Sequence, residues 1–360
     1  MTMLDPSTAP TVAGPTTVRT DGRTATGAHP APALVELDER QSAASGALVA
    51  AVPADLAIDD EDFATAAAGA ARLLPSAVHD ALAAFAGGSH PSGALVIRGL
   101  PVGDVPATPE SPRHHTDKDR VSEFVLLTAA RVLGEPVGYR PEHGGELVQN
   151  LVPTAGAAQT QTSTSSAVTL EFHTEAAFHP HKPRFLLLLG LRADPFGEAR
   201  TLLCSIGAVL PLLSDRCRLV LAEPRFRTGV DASYLSTPAV GDNDDRSRLR
   251  SPLGPPVPVL TGGTDRPTLT FDADLMVGID IEADDALQEL RRAVRAHHIG
   301  VALGTGDLLV VDNHAAVHGR SPFRARYDGT DRWLQRTFVV DDLAPSAGER
   351  DGRVITTRFG

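Results

Sequence analysis

From about residue 145 onward the chain is a succession of short runs rich in aliphatic and β-branched residues, each closed by Gly, Pro or Asp. The runs are Leu147 to Val152, Val168 to His173, Phe185 to Leu191, Thr201 to Ile206, Thr268 to Phe271, Leu308 to Val311 and Trp333 to Val340. Runs this short, bounded by turn residues, read as strands rather than helices. A single helical pattern, about 284 to 297, interrupts them. Many short strands without regular strand–helix alternation can bury their apolar faces only as an antiparallel sandwich or barrel. The expected fold class is therefore mainly β with flanking helices.

The part before residue 145 has a different texture. Residues 1 to about 32 are rich in Thr, Pro, Gly and Ala with almost no large apolar side chains, so nothing there offsets the entropy of ordering, and the stretch is expected to be a disordered leader. From Pro32 to Leu74 the Ala-rich segment reads as helices, one of them beginning after the acidic cluster at 59–62, whose charges suit a helix N-terminus. Pro75 ends that helix, and Val78 to Phe85 reads as a shorter one. A strand is expected over 94–99, a loop over 108–120, and a helix over Glu123–Leu133 with Ser122 as N-cap and Gly134 just past its end. We expect a helical part to about residue 145 and a β core over about 146–358, together a single domain from residue 33 to 360.

Composition removes several function classes. The 360 residues carry a formal charge of −12, which disfavours wrapping nucleic acid. No apolar run approaches the ~18 to 20 residues of a membrane span, and Met1 to Pro6 lacks the basic and apolar regions of a signal peptide, so a cytoplasmic location is expected. Cys204 and Cys217 are the two cysteines, too few for a disulfide framework or a multi-thiolate metal site. No Gly-x-Ser-x-Gly or His-Glu-x-x-His motif suggests a hydrolase. The oligomeric state is left open.

His-x-Asp/Glu is a cheap pattern: with 13 His and 45 acidic residues in 360 positions, chance alone supplies roughly 1.6 matches. The chain has two. His115-Thr116-Asp117 lies in the charged loop, where nothing fixes the two side chains relative to each other. His173-Thr174-Glu175 instead closes a strand, where residues i and i+2 point to one face, so imidazole and carboxylate can converge on one ion. A third ligand is available in Gly306 to Pro322, which reads as a buried strand, a tight turn and a returning strand carrying His318. Two imidazoles and one carboxylate leave three positions open, the facial arrangement of non-haem Fe(II) oxygenases. Arg332, on the next strand, could hold an anionic cosubstrate by bidentate hydrogen bonds. The remaining histidines have plainer readings, with His179 and His181 in a Pro-flanked loop and His297 and His298 at a helix end.

Taken together and in order, His173-Thr-Glu175, Thr201, Asp312-Asn-x-x-x-Val-His318-Gly-Arg, Arg332 and Arg336 resemble the clavaminate synthase-like branch of Fe(II)/2-oxoglutarate oxygenases. The resemblance extends over roughly residues 90 to 358 and includes Gln149 to Pro153, Ser163, Ser166 to Val168 and Phe271 to Met276. It is nearest to the hydroxylases and desaturases of free basic amino acids that serve antibiotic biosynthesis, among them the viomycin-pathway arginine hydroxylase and the bacterial lysine hydroxylases. The resemblance implies a distorted double-stranded β-helix, a jelly roll, and Fe(II), 2-oxoglutarate and dioxygen as the reacting set.

Carried over by position, His173, Glu175 and His318 match the iron ligands, Arg332 the arginine that pairs with the distal carboxylate of 2-oxoglutarate, and Thr201 a hydroxyl that helps hold it. Ser163 and Arg336 match groups on the amino-acid substrate, and Gln149, Asp272 and Asp274 match substrate-pocket positions. If the strand geometry of 268–271 continues, Asp272 and Asp274 face one side and can bracket a cationic side chain; the plainer alternative is a solvated strand end. Where lysine hydroxylases carry Gln-Asp, this chain has Gln149-Asn150, one carboxylate fewer. With the planar, five-donor guanidinium matching two carboxylates, that ranks arginine above lysine. The implied reaction is hydroxylation near Cβ, with desaturation of the same substrate, hydroxylation of lysine or another polar amino acid, and a non-catalytic binding protein as alternatives.

Overall fold

The structure is a computed structural model that describes residues 29–88, 90–113, 118–235, 252–263 and 266–359. Among the described residues it is mostly β-sheet with flanking helices. The larger sheet runs, in spatial order, through Ala33–Glu36, Ala94–Arg98, Leu308–Asp312, Phe185–Arg192, Trp333–Val340, Glu135–Tyr139, Val354–Ile355 and Arg350–Asp351, with Gln149–Leu151 also paired to Trp333–Val340. The smaller sheet is ordered Ile299–Val301, Thr201–Ser205, Ala316–Arg320, Leu170–His173.

Strand periodicity explains the layering. In Phe185–Arg192, Phe185, Leu187, Leu189 and Leu191 pack toward the helices Glu61–Ala70, Ser76–Ala86 and Val121–Leu133. Leu186 and Leu188 turn the other way, into a core shared with Leu203, Ile299, Val301 and Ala316 of the smaller sheet. A strand buried on both faces needs an unbroken apolar run, which is what this one has. The outer face of the smaller sheet, with Phe172, Leu202, Cys204 and Val317, is covered by the helices Asp215–Leu221 and Ile281–Ala296. The order through the molecule is helices, large sheet, core, small sheet, helices.

Several expectations are corrected. Ala33–Glu36, expected as helix, is an edge strand paired in parallel with Ala94–Arg98; the ladder outweighs the weak local preference of four residues. A second parallel pair joins Val354–Ile355 to Glu135–Tyr139, so the sheets are not wholly antiparallel. The helix Val121–Leu133 begins one residue before Ser122, and Asp119 accepts from the Val121 N–H at 3.2 Å in its place. Ser122 instead spends its hydroxyl on Glu123 and Lys118. Ile281–Ala296 starts three residues before the expected 284, behind the true N-cap Asp280, which accepts from Ala283 N at 3.0 Å. The expected leader, up to residue 28, and His115 to Asp117 lie outside the described residues. No helix among the described residues is long and apolar enough to cross a membrane.

Phe124 joins the large sheet to its helical cover: it is fully buried and meets Phe63 edge-on at 5.5 Å between ring centroids. Phe124→Ala is expected to lower unfolding free energy by about 3–5 kcal/mol, read as a lower urea midpoint at unchanged m-value; a shift under about 1 kcal/mol would contradict this packing.

Candidate active site

The antiparallel ladder between Ala316–Arg320 and Leu170–His173 sets His318 directly opposite His173. Their rings lie 4.3 Å apart between centroids. The strand ends at His173, so Glu175 does not project from an extended strand as expected; a turn delivers it. That turn is fastened by fully buried Asn313, whose Oδ1 accepts from Glu175 N at 2.7 Å while its Nδ2 donates to Glu175 O at 3.1 Å and Pro183 O at 2.9 Å. Thr174 faces away, with its hydroxyl bonded to the backbone of Leu269 and Phe271. Ala176, next in the turn, takes φ 49°, a left-handed conformation that a non-glycine residue adopts only when its surroundings enforce it.

The three side chains converge. Glu175 Oε2 lies 3.3 Å from His318 Nε2 and 4.0 Å from His173 Nε2, and one donor atom from each lies within 4.8 Å of the others. Cis ligands on an ion at about 2.1 Å sit about 3 Å apart, so a modest contraction seats one. Two observations fit that occupant. Glu175 Oε2 is buried with no hydrogen-bond partner. His173 Nδ1 is 2.8 Å from Glu171 O, which assigns its proton there and leaves Nε2 a lone pair, as orienting partners of metal-bound histidines do. Electrostatics agree. Burial opposes the charge on Glu175, but Arg336 and the two imidazoles outweigh it and hold the carboxyl down to about 2. Burial, with His173 nearby, lowers His318 to about 4 and keeps it neutral.

These groups border a cavity of about 340 Å³. One end carries two buried guanidiniums, Arg332 and Arg320, neither in an ion pair among the described residues. Arg332 Nη2 reaches Thr201 Oγ1 at 3.5 Å, and burial, then the neighbouring Arg320, lowers Arg332 to about 9. A buried cation without a counter-charge is costly, so this end suits an anionic group.

At another wall, Arg336 is already paired. It bonds to Glu142, sends Nε to Gln149 Oε1 at 3.0 Å, and lies 3.7 Å from Glu175. Glu142 also accepts from Tyr234 OH at 3.0 Å. Burial raises Glu142, against the pull of Arg336. Gln149 does not border the cavity; it braces Arg336 from behind. Asn150, one residue on and therefore on the opposite face, accepts from Trp333 Nε1 at 2.9 Å and Gln335 at 3.3 Å. Its lack of charge is thus no guide to the substrate, contrary to the expectation from the sequence.

Ser163 borders the cavity, as do Asp272 and Asp274, but not in the expected geometry. The strand stops at Leu269, and residues 273–275 form a turn. Asp272 Oδ1 holds that turn by accepting from Asp274 N at 2.8 Å and Leu275 N at 2.7 Å. Burial raises its pKa, with His173 acting against that. Of the remaining histidines, His179 accepts from His181 N at 2.9 Å within a loop, as read from the sequence. The sequence reading missed Glu142, Tyr234, Asn313 and Arg320. Only the last two lay inside a quoted motif; the first two come from separate loops that meet only in three dimensions.

Residues 75–338 match the family described as taurine catabolism dioxygenase TauD, TfdA family. The chain is 40% identical over 302 residues to L-asparagine oxygenase of Streptomyces coelicolor (82% of this chain, 86% of the relative). It is 39% identical over 301 residues to L-lysine 3-hydroxylase of Catenulispora acidiphila (83% and 82%). Its structure is similar to that of asparagine oxygenase with Fe(II), 2S,3S-3-hydroxyasparagine and succinate (TM-score 0.82, 38% identity, 89% of this chain and 98% of that one). It is also similar to the non-heme iron oxygenase OrfP with Fe, succinate and (3S)-hydroxy-L-Arg (TM-score 0.78, 31% identity, 89% and 99%). A further OrfP structure holds Fe and alpha-ketoglutaric acid (TM-score 0.78, 30% identity, 91% and 100%).

Replacing an outer partner of a metal ligand typically costs about 10–100-fold in affinity. Asn313→Ala is therefore expected to weaken anaerobic Fe(II) binding by about that factor, and His173→Ala or His318→Ala by more. Parent-like affinity in either His variant would remove that residue from the metal site.

Proposed function

From the premise that this chain belongs to the TauD/TfdA dioxygenase family, we propose that it hydroxylates the β-carbon of a free L-amino acid with a basic side chain, arginine first. The carrying observation is one cavity in which the His173–Glu175–His318 set, two guanidiniums without acidic partners and a wall with Asp272 and Asp274 meet. The β-carbon is supported by three of the more similar relatives, whose names and bound products put the hydroxyl on carbon 3 of lysine, asparagine and arginine, although L-lysine 4-hydroxylases also match at 30% identity or less. Leaving aside the four short strands between 226 and 278, which pair in two-stranded sheets of their own, the strands from Phe185 to Val340 fall to the two main sheets in the order large, small, small, large, small, large. This supports reading the core as a distorted double-stranded β-helix, a jelly roll, within one oxygenase domain.

His173, Glu175 and His318 would hold the iron, and Arg332 with Thr201 would hold the distal carboxylate of 2-oxoglutarate. Iron with 2-oxoglutarate and dioxygen supplies the oxidation, releasing succinate and CO₂ and placing one oxygen atom in the substrate C–H bond. The chain's own work is orientation. Arg336, kept charged by Glu142 and Glu175 against burial, presents a cation to the α-carboxylate, and Ser163 faces it from a loop. Asp272 and Asp274 would receive the side-chain cation, with Asp272 offering only the oxygen its turn does not use.

That restriction also suits an amide, whose neutral N–H₂ can donate one hydrogen to that oxygen and the other elsewhere. Together with the asparagine oxygenase relative, it makes asparagine the second reading. The two separate in a panel of free amino acids that includes arginine, lysine, asparagine and norleucine, scored by succinate and hydroxylated product. We expect arginine to lead. An asparagine preference would install the second reading, and no turnover of any free amino acid would remove both.

Two variants test the roles. Arg332→Ala should raise the 2-oxoglutarate KM by about 30-fold or more, since truncating a buried charged partner costs about 2–5 kcal/mol, with the amino-acid KM little changed. Asp272→Asn keeps an acceptor for the turn while deleting its charge. It should lower kcat/KM for arginine by about tenfold or more with the urea midpoint unchanged. A parent-like kcat/KM would show that Asp272 does not read substrate charge.

A further inference from the structure

The strand that carries His318 ends in Arg320, whose guanidinium is buried in the wall of the cavity. Its polar contacts are all neutral oxygens. Nη1 donates to Ser163 O at 3.3 Å, and Nη2 to Ser165 Oγ at 2.7 Å and to Val168 O at 3.3 Å, while Nε reaches its neighbour Ser321 O at 3.4 Å. The Phe323 ring lies 5.4 Å from its Cζ. Three of the four acceptors thus belong to one segment, Ser163 to Val168. That segment closes the long connection from Thr154 to the strand Leu170–His173, and in it Gln161 to Thr164 form a cavity wall.

The connection has little else to fix it. It holds one short 3-10 turn at Ala155–Ala157, and Ala155, Gly156, Gln159, Thr160 and Thr162 are exposed. Besides Arg320, its hydrogen bonds to the body among the described residues are Glu171 N to Gln161 Oε1, Phe323 N to Ser166 O, and Ser166 Oγ with Tyr327 OH. Long connections rich in small polar residues stay open to exchange unless side chains fasten them. Arg320 also sits opposite Thr201 in the ladder, and Thr201 is the hydroxyl that Arg332 touches. One rigid strand therefore bears a metal-site histidine, neighbours the anion end and grips the loop.

We propose that Arg320 is a positioning residue that clamps the 163–168 segment over the cavity, so that Ser163 and the wall around it are set against the amino-acid substrate. The proposal rests on reading the cavity as an amino-acid oxygenase site. Only an arginine meets the geometry. The three acceptors are spread around a planar fork, and a lysine ammonium keeps the charge but is a compact point that cannot span them.

The test uses Arg320→Lys, with Ser165→Ala as a milder variant that deletes the shortest contact. Hydrogen exchange over 154–169, Fe(II) affinity, both KM values and product formed per succinate are measured. In Arg320→Lys the loop should lose protection by about tenfold or more, the amino-acid KM should rise about tenfold or more, and product per succinate should fall. Fe(II) affinity and the 2-oxoglutarate KM should stay within about threefold. Ser165→Ala should move the same quantities severalfold, and decides the matter if the lysine variant does not fold. Parent-like loop protection would overturn the clamp, and so would a defect confined to the 2-oxoglutarate KM, which would make Arg320 a plain anion-binding charge. If the parent turns over no free amino acid, the functional reading fails while loop exchange still decides the clamp.

Discussion

The register that places His318 opposite His173 is the constraint on which the rest of the site depends. A slip of one residue would send His318 to the helix-covered face and bring Val317 or Gly319 to the cavity, since strand side chains alternate. The register is secured from both sides: Ala316–Arg320 pairs over five residues with Thr201–Ser205, and Val317 and Ala316 bury into separate cores. Hydrophobic alternation thus does the aligning, and the imidazoles inherit it. Because Arg320 and Thr201 are partners in the same ladder, the metal end and the anion end are positioned by one set of backbone hydrogen bonds.

The cavity is organised by charge as well as by shape. Glu142 and Arg336 neutralise each other in a buried pair that Gln149 and Tyr234 complete. Such a pair adds little net stability once desolvation is counted, so its value is in holding a fixed cation and a fixed anion side by side at the cavity wall. Arg332 and Arg320 have no acid beside them in hydrogen-bond contact among the described residues. Like charges held close in a buried space raise the free energy of the empty cavity, and an anion of the right length relieves it. The cations Arg332 and Arg320 and the acids of the 272–275 turn, beside His173, give different parts of the cavity wall opposite charge.

The metal end was legible in the sequence because its signals are local. His173, Glu175 and His318 lie in or beside apolar runs whose strand character follows from composition, and Arg332 heads another. What failed to carry was whatever depends on where a strand stops. Asp272 and Asp274 looked like a strand pair because Thr268 to Phe271 is apolar and β-branched; the chain turns at 272 because the Asp272 carboxylate captures two backbone N–H groups. Asn150 looked like part of the pocket by its neighbour Gln149, and the period-two rule puts it on the far face, against Trp333. Glu142 and Tyr234 are 92 positions apart and have no motif. Ala33–Glu36 became a strand because an open sheet edge was available to it, a fact no four-residue window contains.

The same division bears on how such a site can change its substrate. His173, His318, Thr201 and Arg320 stand on paired strands, where a backbone shift would break many ladder bonds at once, and Glu175 on a turn that Asn313 fastens. Asp272, Asp274 and Ser163, which line the cavity, stand on the 272–275 turn and the 154–168 connection, each held by a few side-chain hydrogen bonds. Few ties mean that an insertion or exchange there perturbs little else. Relatives of similar overall identity can then act on an amide or a cationic side chain, as the asparagine oxygenase and lysine 3-hydroxylase names indicate. Arg336 projects from the strand Trp333–Val340 of the large sheet, with Arg332 just before its start, and the smaller sheet carries His318, so the loops can vary without moving either sheet.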